Sequence, residues 1–229
     1  NMFADQPREY TVIGIKHALA LSDGEDPDLR PQGAFSMRGH SVGGFGSVTT
    51  NKLIASFVGE LFNIYVQAYP KYGSEKKGLP TTYYLTVAEK HIRTHSELAH
   101  VEFIPLNDVN AFNLGNPLDG IADEGSIFIQ SPETDPQRVW DHIPAYGQKL
   151  IRNKRLKVFY LDTVKIAKEI ATDPDLQQRM QGVCLVGIFI RVTPFASRSG
   201  MGDEQVLESV EKYIRKYFGK RGEHVVQEN

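Results

Sequence analysis

The chain has 229 residues, 26 basic against 28 acidic for a formal charge of −2, with 41% apolar and 24% charged residues. That is the make-up of a soluble globular protein, long enough for one large α/β domain, and it excludes disorder, collagen and coiled coil. The charges nearly cancel, so no global field favours nucleic acid or an anionic membrane and any phosphate site must be local.

A single cysteine, Cys184, excludes an internal disulfide framework, a CxxC redox pair, a cysteine-ligated zinc and an iron–sulfur cluster held by this chain alone, and it points to a reducing, cytoplasmic compartment. The longest apolar run, residues 183–192, is interrupted by Gly187 and Arg191 and falls far short of the ~20 residues of a membrane span. No signal-peptide pattern opens the chain. The start Asn1-Met2-Phe3 and the helix-like end at 221–229, with no capping signal after it, suggest a piece of something longer.

In chain order, residues 1–32 read as a peripheral arm, with an apolar stretch at 10–21 followed by an acidic loop at 22–28, and residues 33–229 as the domain proper. The run 34–39 leads through Gly43-Gly44-Phe45-Gly46 to a helix from Ser47, where Leu53, Ile54, Phe57, Val58, Leu61 and Phe62 recur at helical spacing. This reads as strand, glycine-rich turn, helix. Further strands are expected at 64–69, 81–87, 100–106, 125–130 and 156–161, and helices at 143–152, 163–172, 178–192 and 205–217. The stretch 180–193 is β-branched enough for a buried strand, but its length and the stripe Met180, Val183, Cys184, Gly187, Ile188 favour helix. Strands alternating with helices predict a three-layer α/β/α domain with a mostly parallel sheet.

The turn at 39–47 has the context of an anion site, since amides at a helix N-terminus point outward with partial positive charge. It fits neither the Walker A nor the dinucleotide fingerprint, and a tight structural turn remains the alternative. Lys52 lies in the first turns of the helix, and Lys71, Lys76 and Lys77 cluster before the strand at Thr81. Loops leaving parallel strands emerge on one sheet edge, so these lysines and the glycine turn can converge on a phosphate-bearing ligand, or form a solvated basic loop. His91, His95 and Glu97 have ligand-like spacing but sit in a polar connection, where a metal is not expected. Cys184 reads as an inert core thiol, and Trp140, Tyr146 and Tyr160 as packing residues. No catalytic constellation stands out.

Five segments, FSMRGHSVGGFGSVTTNK (35–52), YVQAYPKYGSEKKG (65–78), LDGIADEGSIFIQSP (118–132), IRNKRLKVFYLDTVKIAKEIA (151–171) and YIRKYFGKRGEHVVQEN (213–229), together resemble the gamma domain of the 2-oxoacid:ferredoxin oxidoreductases. Within that family the chain is most similar to the third domain of the single-chain pyruvate:ferredoxin (flavodoxin) oxidoreductases. The resemblance implies oxidative decarboxylation of a 2-oxoacid with coenzyme A to acyl-CoA, carbon dioxide and reduced ferredoxin. Thiamine diphosphate with Mg and [4Fe-4S] clusters would sit on partner domains or chains, with ferredoxin or flavodoxin as electron acceptor. It further implies that Gly44, Gly46, Ser47, Asn51 and Lys52, with Ser74, Lys76 and Lys77, lie near the phosphates of coenzyme A. The chain departs from the family at Ser74-Glu75-Lys76-Lys77-Gly78-Leu79-Pro80, where SKKSGG is usual, and at Val48-Thr49-Thr50-Asn51-Lys52, where GANKN is favoured. A purely structural subunit of such a complex, or an independent nucleotide-binding protein, are the other readings.

Overall fold

In the computed structural model, residues 27–42, 47–71, 79–171, 173–195 and 200–218 are described. The glycine turn at 43–46, the lysine turn at 72–78, the arm up to residue 26 and the C-terminal segment 219–229 lie outside them.

β1 (Phe35–Val42) shows why a sheet forms here. Phe35 and Met37 project to one face and Ser36 and Arg38 to the other, and all but Arg38 are buried, as befits a central strand covered on both sides. β2 (Tyr65–Lys71), β3 (Pro80–Ala88), β4 (Val101–Leu106), β5 (Ile121–Gln130) and β6 (Lys157–Leu161) complete a six-stranded sheet in the order β2-β3-β1-β4-β5-β6. β1, β4, β5 and β6 run parallel, and β3 is antiparallel to both of its neighbours, β1 and β2. The reason is length. The link from β2 to β3 is too short for the crossover of a dozen or more residues that a parallel pair needs.

Helices cover both faces, giving the three layers predicted. On one face α1 (Ser47–Phe62), α4 (Thr163–Ile170), α5 (Pro174–Val192) and α6 (Asp203–Phe218) pack on Met37, Tyr83, Leu85, Phe103 and Phe128. Phe35, Phe189 and Phe195 meet there with ring centroids 5.1 to 6.1 Å apart. On the other face α2 (Pro136–His142), α3 (Ala145–Asn153) and a 3-10 helix at Val109–Asn113 close over Ile104, Leu106, Ile127 and Ile129. Gly39 lies opposite Tyr83 in the β1–β3 ladder, and the Tyr83 ring occupies the space where a side chain at 39 would stand.

Several boundaries differ from the sequence reading. The helix expected at 143–152 is α3, which starts at Ala145 because Pro144 caps it and Ile143 before the proline is extended (φ −79, ψ 125). α2 is an added helix, opened by the Asp135 carboxylate, which accepts the Gln137 amide at 2.9 Å, with Pro136 at its first position. β1 runs on to Val42, β5 begins four residues early at Ile121, and α5 begins at Pro174. The stretch 180–192 is helical. The helix expected at 221–229 and the apolar stretch of the arm lie outside the described residues.

Candidate functional site

β1, β4, β5 and β6 all point their C-terminal ends to one sheet edge, and β2, antiparallel to β3, ends there too. The chain leaves β1 towards α1 on one face and leaves β4 towards the 3-10 helix on the other. Such a divergence between neighbouring parallel strands opens a crevice at their carboxyl ends, the usual ligand position in α/β sheets. His40 marks the spot: its carbonyl accepts the amides of Asn107 and Asp108 at 2.8 and 3.3 Å, binding the ends of β1 and β4 together.

Two cavities flank this crevice and share Ser41. One, of about 300 Å³, lies between the ends of β1 and β3 and residues 108–117, with His40, Thr81, Thr82, Asp108 and Asn116 in its wall. The other, of about 210 Å³, lies under α1, α4 and α5, with Thr50, Asn107, Gln130, Thr163 and Gln181 among its lining. Gln130 organises the second. Its Oε1 accepts the Thr163 amide at 2.8 Å and the Thr163 hydroxyl, while its Nε2 donates to Asp162 Oδ1 at 3.0 Å. Asp162 in turn accepts the Lys165 amide and so caps α4. The sequence reading passed over these residues. The Asp162-Thr163 capping signature was visible, but nothing local marks Gln130 as its partner across 32 residues.

Burial sets the electrostatics of the crevice. His40 is driven down to about 4, first by desolvation and then by the nearby Arg38 cation, with a hydrogen bond to the Pro117 backbone opposing. It is therefore a neutral imidazole at pH 7. Arg38 is itself pulled downward by desolvation, and its guanidinium donates to the carbonyls of Leu98 and Pro117 at 3.2 Å and to that of Asp119. The wall thus sets a neutral imidazole beside a guanidinium cation that is held by backbone carbonyls.

Of the residues expected at a phosphate site, Gly44, Gly46, Ser74, Lys76 and Lys77 lie outside the described residues. Ser47 is the first residue of α1, which opens on this edge with no acidic residue in its first turn. Asn51 is buried; its Nδ2 donates to the Tyr84 carbonyl at 2.9 Å, fastening α1 to β3. Lys52 is exposed on α1. Lys71 ends β2 in an ion pair of 2.6 Å with Glu97.

His91, His95 and Glu97 have separate partners. His91 packs edge-on to Tyr65, His95 Nδ1 meets Gln67 Nε2 at 2.6 Å, and Glu97 takes Lys71. No group of three or more His, Cys, Asp or Glu that could hold a metal is found among the described residues. Cys184 is half-buried and its thiol is pushed up by desolvation, away from thiolate reactivity. Trp140 carries the Arg152 guanidinium over its ring at 4.7 Å, while Tyr146 and Tyr160 anchor loops through their hydroxyls. No described helix is long and apolar enough to cross a membrane.

The edge is thus equipped to bind. The register shows how the strand ends that lead into its two turns are spaced. Val42 pairs with Pro80 and Lys71 with Thr82, so Val42 and Lys71, which enter the glycine turn and the lysine turn, stand two strand spacings across and two residues along the sheet from each other, about 12 Å.

Residues 36–229 match the family described as pyruvate ferredoxin/flavodoxin oxidoreductase. The chain is 28% identical over its whole length to the pyruvate-flavodoxin oxidoreductase of Trichormus variabilis and 25% identical to the pyruvate:ferredoxin oxidoreductase of Moorella thermoacetica, covering 19% of each. It therefore spans about a fifth of the length of these relatives. Among solved structures, the pyruvate oxidoreductase subunit PORC of Thermotoga maritima shares the fold with a TM-score of 0.62 at 19% identity, over 85% of this chain and 90% of that one. The 2-oxoglutarate:ferredoxin oxidoreductase of Magnetococcus marinus, solved with 2-oxoglutarate, coenzyme A and succinyl-CoA bound, aligns at 0.59 and 16% identity over 85% of this chain and 29% of that one.

Proposed function

Since the chain belongs to the pyruvate ferredoxin/flavodoxin oxidoreductase family, we propose that it is the gamma-type domain of a 2-oxoacid:ferredoxin oxidoreductase acting on pyruvate, and that it holds the phosphate end of coenzyme A. The observation that carries the reading is that Val42 and Lys71, the described residues leading into the glycine and lysine turns, end their strands on one sheet edge about 12 Å apart.

The chemistry suits that ligand. Adenosine 3′-phosphate 5′-diphosphate is strongly anionic, and the free amides in the first turn of α1, with Lys52, Lys76 and Lys77 as point charges, supply what it needs. The structure solved with coenzyme A in the Magnetococcus marinus enzyme supports the ligand class. Neutral His40 and the polar cavities on either side of Ser41 add hydrogen-bonding walls. Asn51 acts beneath the surface, holding α1 to β3.

One cysteine cannot supply the four thiolates of an iron–sulfur cluster. Thiamine diphosphate with Mg, the clusters and the ferredoxin or flavodoxin contact are assigned to partner domains or chains in the reducing cytoplasm, where the cofactors supply decarboxylation and electron transfer. The test is kinetic, on the complete enzyme. Lys76→Ala with Lys77→Ala raises the KM for coenzyme A at least about tenfold, the equivalent of ~1.4 kcal/mol, and leaves the KM for pyruvate unchanged. An unaltered KM for coenzyme A refutes the site; failure of the complete enzyme to reduce ferredoxin with any 2-oxoacid refutes the function.

A further inference from the structure

The two edges of the sheet are built differently. β2, at one edge, carries Gln67, Pro70 and Lys71, and residues 95–97 close against it through the Gln67–His95 contact, the Tyr69 hydroxyl on the Ser96 carbonyl and the Lys71–Glu97 pair. Proline, a charge and a covering segment are the ordinary means of blunting a strand edge. β6, at the other edge, reads Lys-Val-Phe-Tyr-Leu, with Lys157 as its one charge.

The register makes the contrast sharper. Phe128 of β5 pairs with Phe159 of β6, and Gln130 with Leu161, so these four side chains project from the same face. Phe128 is 2% exposed beneath the helices, but Phe159 and Leu161 are 39% and 41% exposed. The helical layer on this face therefore stops at β5. α4, which leaves β6 on that face, ends on Ile170 at 46% exposure. On the opposite face Val158 and Tyr160 are packed against the core. Among the described residues no strand pairs with the outer side of β6, which thus offers a hydrogen-bonding ladder flanked on one side by aromatic and aliphatic surface, a combination that invites strand addition. Lys157 has no ion-pair partner among the described residues, whereas the neighbouring Lys154 and Arg155 are paired with Asp123 and Glu124.

We propose that β6 is an assembly edge, completed in the full oxidoreductase by an extended strand from another domain or subunit, apolar where it meets Phe159 and Leu161 and acidic where it meets Lys157. This rests on the reading of the chain as one part of a larger enzyme, and the chain's span of about a fifth of its relatives leaves ample polypeptide to provide the strand. Covering this edge extends the sheet and buries the apolar strip in one step. A second copy of this chain is disfavoured as occupant, because antiparallel self-pairing sets each Lys157 against Leu161 and gives it no acidic neighbour.

The experiment uses the complete enzyme in two parts. Residue-resolved hydrogen exchange is expected to show the outward amides of 157–161 protected to the level of interior β4, at least ~100-fold beyond an open edge; exchange at the open-edge rate overturns the proposal. A photo-crosslinking amino acid at position 159 is expected to join this chain to a different domain or subunit. A crosslink to residues 1–26, to a second copy, or to nothing overturns it. Neither readout depends on coenzyme A, so the edge can fail while the phosphate site stands, and the reverse.

Discussion

Substitution of Gly39 by alanine tests the close approach on which the end of β1 is built. A Cβ at this position stands 1.8 Å from Tyr83 Cζ, 2.2 Å from Cε2 and 2.3 Å from the hydroxyl oxygen, against an ordinary carbon contact of ~3.5–4.0 Å. The ring must shift by roughly 1.5–2 Å to relieve this overlap. Tyr83 is fully buried within the core beneath α1 and α5, so the displaced ring has no free space to enter, and the cost takes the upper part of the overpacking range, about 3 kcal/mol. For a chain of this size that is a fall in Tm of about 6–12 °C. Tyr83→Ala alone leaves a cavity and costs ~3–5 kcal/mol. In the double variant the new methyl sits where the ring was, and the stability is close to that of Tyr83→Ala alone. Denaturant titration of the four proteins measures the coupling directly. Costs that add to within ~0.5 kcal/mol would show that the ring does not rest on Gly39.

Two further outcomes follow from other contacts. A Cβ on Gly182 of α5 meets Thr50 Oγ1 of α1 at 2.2 Å, so Gly182→Ala lowers stability by about 1 kcal/mol although alanine favours helix by a similar amount. Adding Thr50→Ala removes the clash and recovers stability, and a stabilising effect of Gly182→Ala by itself in a thermal melt counts against the contact. For His40 the folded pKa of about 4 lies below the ~6.5 of an exposed histidine, so the unfolded chain binds the extra proton first as pH falls. Stability held in full above about pH 6.5 drops through the window down to about pH 4, by up to about 3 kcal/mol. Urea titrations at pH 7 and pH 5 read this slope, His40→Phe flattens it, and an unchanged slope in that variant shows that another group is responsible.

The layered architecture was legible because it is written in local pattern. Strand alternation in β1, the helical spacing of Leu53, Ile54, Phe57 and Val58 in α1, and the stripe of Met180 and Val183 in α5 each need only a dozen residues to be read. Glycine and lysine turns adjoining strands likewise signal an anion site from composition and context. Less legible was α2, seven residues of mostly polar sequence with Val139 as its buried residue, too short to show a helical period.

What the sequence determined by itself is therefore most of the elements, the mostly parallel sheet and the family. Tertiary structure alone decided that β3 runs antiparallel, that Gln130 holds Asp162 and Thr163, that His40 is buried neutral, and that Phe159 and Leu161 of β6 stand exposed while residues 95–97 close over β2. Those features arise from contacts between residues tens of positions apart, where the energy comes from desolvation and shared packing. No window of neighbouring residues contains either quantity, so a chain can announce its elements while its edges, cavities and proton affinities wait on the fold.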